Sequence, residues 1–265
     1  MSRRLFVMGG HEFDRLDGNE SICDHIIGLT GEERPKICLL PTASGDPEDQ
    51  ISRFRRSFGS RGCEVSDISL FRLGANPIDV SAHLLEQDAI YVGGGSLLNL
   101  VAIWQAHGIA DLLEACLDRG ILICGQSAGA MCWFEYGITS SSGLPAAAPG
   151  LGVIKGSLCV HYHQDPQRRT RYLADVAAGM PGGYGADDQS AMLFVDGVLE
   201  EAMSFRSGAG IWKVEAKGDG KSEEVPLELE ERFKVTPDER VAGSTVEDFR
   251  QLNDWRRRGG MLRGR

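Results

Sequence analysis

The 265-residue chain has no apolar run approaching the ~20 residues that a membrane-spanning helix needs. It has no basic excess either: 28 Lys and Arg stand against 38 Asp and Glu, a net charge of −10. A duplex-binding protein shows a basic face, so nucleic acid is not an expected partner, and the same acidity disfavours an anionic membrane surface. There is no Cys-x-x-Cys pair and no zinc-finger spacing, and neither a metal nor a cofactor is expected. No Lys-Ser or Lys-Thr follows the glycine clusters, which excludes a P-loop. Gly-x-Gly-x-x-Gly is absent, which weighs against a dinucleotide site. No small-residue cleavage pattern follows Leu5–Met8, which runs straight into Gly9-Gly10-His11-Glu12. That apolar run is expected to be a buried strand rather than a leader. The seven cysteines, at 23, 38, 63, 116, 124, 132 and 159, are odd in number and irregularly spaced, and several lie inside apolar runs. They read as reduced buried thiols, which implies a reducing, cytoplasmic compartment.

What is present is a hydrophobic content of 42%, enough for one sizeable core. Apolar runs at 5–8, 36–41, 64–71, 89–92 and 121–124 predict strands. Between them, 48–59, 81–86, 97–107 and 109–119 predict helices. Such alternation implies an α/β fold with a mostly parallel sheet covered by helices on both faces, and ligands then bind beyond the carboxyl ends of the strands. Loops rich in small residues follow the strands there: Gly9-Gly10-His11, Pro41-Thr42-Ala43-Ser44, Gly93-Gly94-Gly95-Ser96 and Gly125-Gln126-Ser127-Ala128-Gly129. Residues 138–157, rich in Ser, Gly, Ala and Pro, read as a long surface loop. Strands are expected around 157–162, 191–195, 198–204 and 211–215, a charged turn at 217–224 and a polar helical tail at 246–258. Residues 1–215 are expected to form one α/β domain bearing the site. Residues 216–265 are expected to be an extension packed on it, with a partly flexible tail.

Gly125-Gln126-Ser127-Ala128-Gly129 has the form Gly-x-Ser-x-Gly of a nucleophile elbow. Its small residues let a serine stand on a tight strand-to-helix turn. The apolar strand before it and the helix-compatible run Ala128–Glu135 after it give the pentapeptide its context. The bland alternative is Ser127 as a helix cap. Cys124 and Cys132 are rival nucleophiles by type, but their places in the strand and helix read as core.

A serine nucleophile needs a base. No histidine follows residue 163, and between Ser127 and His161 the only carboxylate is Glu135, so the chain order Ser…acid…His fails and Ser…His…acid fits. His161 and His163 would share one face of a strand, so either could be the base. Acids downstream are Asp165, Asp175, Asp187, Asp188 and Asp196, of which the pair Asp187-Asp188 lies at a loop-to-strand junction. A tetrahedral intermediate needs preset N–H donors. One would come from Ala128 and another from the Gly93–Gly95 loop, where the lack of Cβ atoms permits close approach.

Tyr91-Val-Gly-Gly-Gly-Ser-Leu-Leu-Asn99, Gly-Gln-Ser-Ala-Gly-Ala-Met131, Val160-His-Tyr162 with Arg168-Arg169 after it, and Gly185-Ala-Asp-Asp188 together resemble the peptidase E and cyanophycinase group of serine peptidases. The likeness runs in order along most of the chain and includes Pro41–Ser44. It implies a class I glutamine amidotransferase-like fold, a flavodoxin-like three-layer sandwich. It also implies Ser127 as nucleophile, His161 as base, Gly94 or Gly95 and Ala128 as oxyanion donors, and Asp188 where relatives often carry Glu. Gln126 stands where relatives carry Trp or Thr and would line the substrate pocket. Where peptidase E has an aspartate downstream of its serine, this chain has Ser142. The implied activity is hydrolysis of short peptides with an N-terminal Asp or isoAsp, without a cofactor. Alternatives are an amidotransferase-like hydrolase of another amide, which would want Cys at 127, and a non-catalytic member of the fold. Because the net charge would repel an acidic peptide, Arg168 or Arg169 is expected to read the substrate carboxylate as a bidentate cation. A small peptide is the expected partner, and a homodimer is open.

Overall fold

The computed structural model describes residues 1–10 and 22–233. Its first half alternates strand and helix: β1 (Arg4–Met8), α1 (Ile22–Thr30), β2 (Lys36–Leu40), α2 (Glu48–Gly59), β3 (Glu64–Asp67), α3 (Val80–Leu85), β4 (Ala89–Val92), α4 (Leu97–His107), α5 (Ile109–Asp118), β5 (Leu122–Gln126) and the short α6 (Ala128–Met131). The second half is mostly strand: β6 (Phe134–Thr139), β7 (Ala146–Pro149), β8 (Ile154–Val160), α7 (Pro166–Ala177), β9 (Gly183–Ala186), β10 (Ser190–Val195), β11 (Val198–Ser204), β12 (Ile211–Gly218), β13 (Lys221–Pro226) and β14 (Glu230–Glu231).

The strands form two sheets. The larger runs β14-β11-β10-β1-β5-β4-β2-β3, with β1, β5, β4, β2 and β3 mutually parallel and β10 antiparallel to β1. Alternate residues of its strands face opposite cores. Leu5 and Val7 of β1 join Leu100 and Trp104 of α4, Leu113 of α5 and Phe134, Leu158 and Val160 of the second sheet. Phe6 and Met8 face the other way, onto Ile22 and Ile26 of α1 and Phe54 and Phe58 of α2. A parallel sheet covered on both faces has near-continuous apolar strands, and all four residues of β4 are buried. Helix α2 shows the matching amphipathic pattern. Ile51, Phe54 and Phe58 recur at helical spacing and are buried, while Glu48 and Asp49 in the first turn complement the helix dipole.

The smaller sheet runs β13-β12-β9-β8-β6-β7. It corrects two expectations. The run Ala128–Glu135 is helical only to Met131, because the carbonyls of Cys132 and Trp133 are taken by the N–H groups of Leu151 and Ile154 as the chain returns. Aromatic and β-branched residues of 134–139 then make a strand, and Glu135 sits on it, accepting from Gly156 N at 2.8 Å. The expected surface loop at 138–157 contains β7 and the start of β8. The small residues of Ala146–Pro149 pair antiparallel with β6 at the sheet edge, where a proline removes no needed ladder bond. The strand expected over 64–71 stops at Asp67, and a 3-10 turn follows at Leu70–Arg72. The boundary expected at residue 215 falls inside β12. The expected tail helix at 246–258 lies outside the described residues. No single described helix is long and apolar enough to cross a membrane.

Phe54 is fully buried, with its ring 4.8 Å from that of Phe58 and 5.5 Å from that of Tyr91. Phe54→Ala is expected to lower unfolding free energy by about 3–5 kcal/mol, read as a shifted urea midpoint with an unchanged slope.

Candidate active site

Ser127 stands between the end of β5 and the start of α6 with φ 51 and ψ −114, a conformation that costs a residue with a side chain on the order of 1–3 kcal/mol. The surroundings hold it there. Its N–H donates to Met8 O at 3.1 Å, and its carbonyl accepts from Ala130 N at 3.0 Å and Met131 N at 2.9 Å. The flanking glycines are sterically required: a Cβ on Gly125 would lie 2.0 Å from Gly129 O, and one on Gly129 would lie 2.4 Å from Val92 O. The turn therefore accepts no larger residue at either position, and it leaves the hydroxyl part-exposed at the carboxyl edge of the parallel strands.

His161 follows the last residue of β8 and also has a positive φ, 54. Its Nε2 lies 3.0 Å from Ser127 Oγ, and its Nδ1 lies 2.5 Å from Asp188 Oδ1. Asp188 lies in the connection from β9 of the small sheet to β10 of the large one, and its N–H donates to Gln164 Oε1 at 3.2 Å. The side chains of His161 and Asp188 are 30% and 32% exposed, so the pair is open to a ligand yet partly screened from water. An imidazole held this way keeps one ring nitrogen on the carboxylate and offers the other to the hydroxyl, so that the hydroxyl proton has somewhere to go.

The geometry separates the alternatives that the sequence left open. His163 does not join Ser127. Its backbone N–H and its Nδ1 are on Asp187 Oδ1 at 2.9 and 3.2 Å, and its ring packs edge-on against Trp212 with centroids 4.2 Å apart. Asp187 is buried and also accepts from Gly210 N at 3.2 Å, so it ties loops together. Cys124 and Cys132 are fully buried, and desolvation pushes both thiols far above their usual range, which leaves no thiolate to act as nucleophile.

The glycine loop after β4 lies against the serine: a Cβ on Gly94 would stand 3.2 Å from Ser127 Cβ. The loop is pinned from below. Gly93 N donates to Leu40 O at 3.1 Å, Ser96 N donates to Ala43 O at 2.7 Å, and Gly95, at φ 147, leaves no room for a Cβ over Ala43 O. Among the described residues, the N–H groups of Gly94, Gly95 and Ala128 donate to no carbonyl. Gln126, the last residue of β5, is 9% exposed, its Cγ beside Gly94, and its Oε1 has no partner among the described residues.

The two arginines differ. Arg168 Nε lies 3.3 Å from Ser140 Oγ and 3.1 Å from Asp165 Oδ2, while its Nη1 is without a partner among the described residues. Arg169 is engaged through both Nε and Nη2 by Glu224 of β13, which corrects the expectation of a free fork at that position. The likeness at 168–169 could not show this, because the partner comes from a distant strand.

Gly10 is a site residue that sequence reasoning missed, although the loop holding it was expected at this edge. It bridges to Asp188, and a Cβ there would lie 2.2 Å from Asp188 Oδ1 and 2.9 Å from His161 Cε1. Gln164 and Glu224 were missed as well, since nothing local marks them. Among the described residues, no group of three or more His, Cys, Asp or Glu side chains is placed to hold a metal ion.

A model of peptidase family S51 matches residues 5–202. The chain is 36% identical over 226 residues to Uncharacterized peptidase YgaJ of Bacillus subtilis (strain 168), covering 85% of this chain and 97% of that protein. It is 27% identical over 208 residues to Cyanophycinase of Nostoc sp., covering 74% and 69% of the two chains. Among solved structures, a peptidase from an acI-B1 Actinobacterium superposes with a TM-score of 0.63 at 16% identity, covering 86% of this chain and 95% of that one. A putative peptidase E protein from Listeria monocytogenes EGD-e gives 0.59 at 16% identity, covering 78% and 100%. These likenesses support the α/β fold with a class I glutamine amidotransferase-like core.

Gly10→Ala should push Asp188 and His161 out of line with Ser127. A displacement near 1 Å is expected to slow reaction of Ser127 with a fluorophosphonate by about 100-fold. The check is the labelling rate of variant and wild type, with circular dichroism showing equal folding. An unchanged rate would mean that Gly10 tolerates a side chain and does not cradle the pair.

Proposed function

The chain belongs to peptidase family S51, and on that footing we propose that it is a serine-type hydrolase of short peptides, with Ser127 as nucleophile, His161 as base and Asp188 as the group that orients the base. The observation that carries this reading is the unbroken hydrogen-bonded series from Ser127 Oγ through both ring nitrogens of His161 to Asp188. In the reaction, Ser127 Oγ attacks the scissile carbonyl and its proton passes to His161 Nε2. The imidazolium is stabilised by Asp188 and then protonates the leaving amine. The carbonyl oxygen, now anionic, is met by the N–H of Ala128 and of Gly94 or Gly95. Each such donor typically contributes 100- to 1,000-fold. Water then attacks the acyl-enzyme by the same route in reverse. None of the seven cysteines is in a disulfide, which supports a reducing, cytoplasmic compartment.

For substrate choice we favour a peptide with an acidic first residue, Asp or isoAsp. A protein of net charge −10 repels such a peptide at long range, so selectivity needs a local cation. Arg168 is the better placed of the two arginines, because Nη1 is unpartnered while Arg169 is committed to Glu224. A buried N–H left unpaired is unfavourable, and a substrate carboxylate would relieve that. Gln126, beside Ser127, forms part of the pocket wall in this reading.

Ser127→Ala is expected to abolish peptide hydrolysis by 1,000-fold or more, roughly, while melting like wild type. His161→Ala should lose activity to a similar extent, and His163→Ala should keep most of it per folded molecule. Retention of more than a few per cent of turnover by Ser127→Ala would overturn the mechanism, and the reverse histidine result would reassign the base. In a dipeptide series differing only in its first residue, wild type should prefer Asp over Asn and Ala. Arg168→Ala should erase that preference, whereas Arg169→Ala should preserve it in whatever fraction folds. A wild type indifferent to Asp would remove the acidic-substrate reading and leave the serine chemistry standing.

A further inference from the structure

The backbone at His161 is held in the left-handed region by groups on both sides. Its carbonyl accepts from Asp165 N at 2.8 Å, and the next residue, Tyr162, donates its N–H to Ala186 O at 3.2 Å. The Tyr162 ring is fully buried. It fills the space over Gly185, where a Cβ would lie 2.7 Å from three of its ring carbons, and it packs beside Trp212 with centroids 5.6 Å apart. Its hydroxyl donates to Glu224 Oε2 at 2.5 Å. The same carboxylate takes both Nε and Nη2 of Arg169, whose guanidinium carbon lies 5.7 Å from the centre of the Tyr162 ring. One carboxylate thus joins the residue after His161 to the helix that follows it. Nearby, Ser222 Oγ donates to Leu173 O at 2.8 Å and fastens the same helix to the same strand.

Glu224 is at once the partner of a guanidinium and of a buried phenol, a pairing too demanding for a surface ion pair, which contributes little. Strand β13 also lies beyond residues 5–202, the part of the chain that matches the family model. We propose that Glu224 is a positioning residue for His161: through Tyr162 and Arg169 it fixes the strained backbone that aims Nε2 at Ser127 Oγ. The inference rests on His161 acting as the base. It makes the β12–β13 hairpin part of the active-site scaffold.

The probe is an alkyl fluorophosphonate. Ser127 Oγ bonds to phosphorus, the phosphorus–fluorine bond breaks, the hydroxyl proton goes to His161 Nε2 and fluoride leaves. The labelling rate per folded molecule therefore reads how well His161 is aimed. It is measured for wild type, Glu224→Ala, Glu224→Gln, Tyr162→Phe and the control Glu223→Ala, alongside each melting temperature. Glu223 removes the same charge from the same strand but pairs with Lys217. Glu224→Ala and Tyr162→Phe should each slow labelling by about 10-fold or more, and the double variant should be no slower than Glu224→Ala, as expected for groups acting as one unit. Glu224→Gln, which keeps an acceptor for the phenol, should recover most of the rate, and Glu223→Ala should match wild type. If folded Glu224→Ala labels at the wild-type rate, the inference is overturned. Should Glu224→Ala not fold, Tyr162→Phe decides by the same criterion. A wild type that does not label at all would instead overturn the serine-hydrolase reading on which the inference rests.

Discussion

A residue with a side chain held at φ 51 at the tip of a strand-to-helix turn has to be clamped from both sides, and the clamping groups are the ones that build the site. From one side the neighbouring parallel strand supplies Met8 O to Ser127 N. From the other, the first turn of α6 closes on Ser127 O. The backbones of β4, β5 and α6 come so close that Gly125 and Gly129 have no space for a methyl group. The same close approach brings the Gly93–Gly95 loop against the serine, so the turn that exposes the hydroxyl also brings amide donors beside it. Strain at the serine and preorganisation around it have one cause, the tight meeting of adjacent parallel strands at their carboxyl ends.

The site is also the seam between the two sheets. Ser127 follows a strand of the large sheet, His161 follows a strand of the small one, and Asp188 lies where the chain crosses from small to large. Gly10 closes the seam from β1, its bare Cα against the Asp188–His161 pair. Alignment of three side chains then depends on how the sheets pack, and Phe134, Leu158 and Val160 of the small sheet share one core with Leu5 and Val7 of the large one. Packing of this kind is dense and stiff, which suits a hydrogen-bonded series that tolerates little displacement.

Neighbouring residues of the same type do different work here because a backbone that bends at a strand end sends them different ways. Asp187 points inward, is almost fully buried and takes three N–H groups, whereas Asp188 faces the part-open edge and takes the imidazole. His161 and His163 divide in the same manner, one toward the serine and one onto Trp212. Arg168 and Arg169 do so again, with Glu224 holding only the second. In each pair burial and partner, not residue type, set the role.

The alternation of apolar strands and helices, the elbow pentapeptide and the order Ser…His…acid were all legible in the sequence, because each rests on local spacing or on the mere presence of a residue type. Strands β1, β2, β4 and β5 and helices α2 and α4 lie where the period of apolar residues puts them, since burial on both faces leaves a local signature. Residues 132–135 and 138–157 depart from the helix and loop expected of them for the opposite reason. Phe134 to Thr139 and Ala146 to Pro149 are compatible with helix or loop by themselves, and only pairing across the second sheet makes them strands. The sequence alone narrowed the candidate site residues, by placing a single serine in an elbow and no histidine beyond 163. Which histidine meets that serine, which aspartate meets the histidine, which arginine pairs with Glu224, and that Gly10 lies against the histidine and its aspartate were decided by tertiary structure. Those contacts join residues far apart in the chain, and no local spacing encodes them.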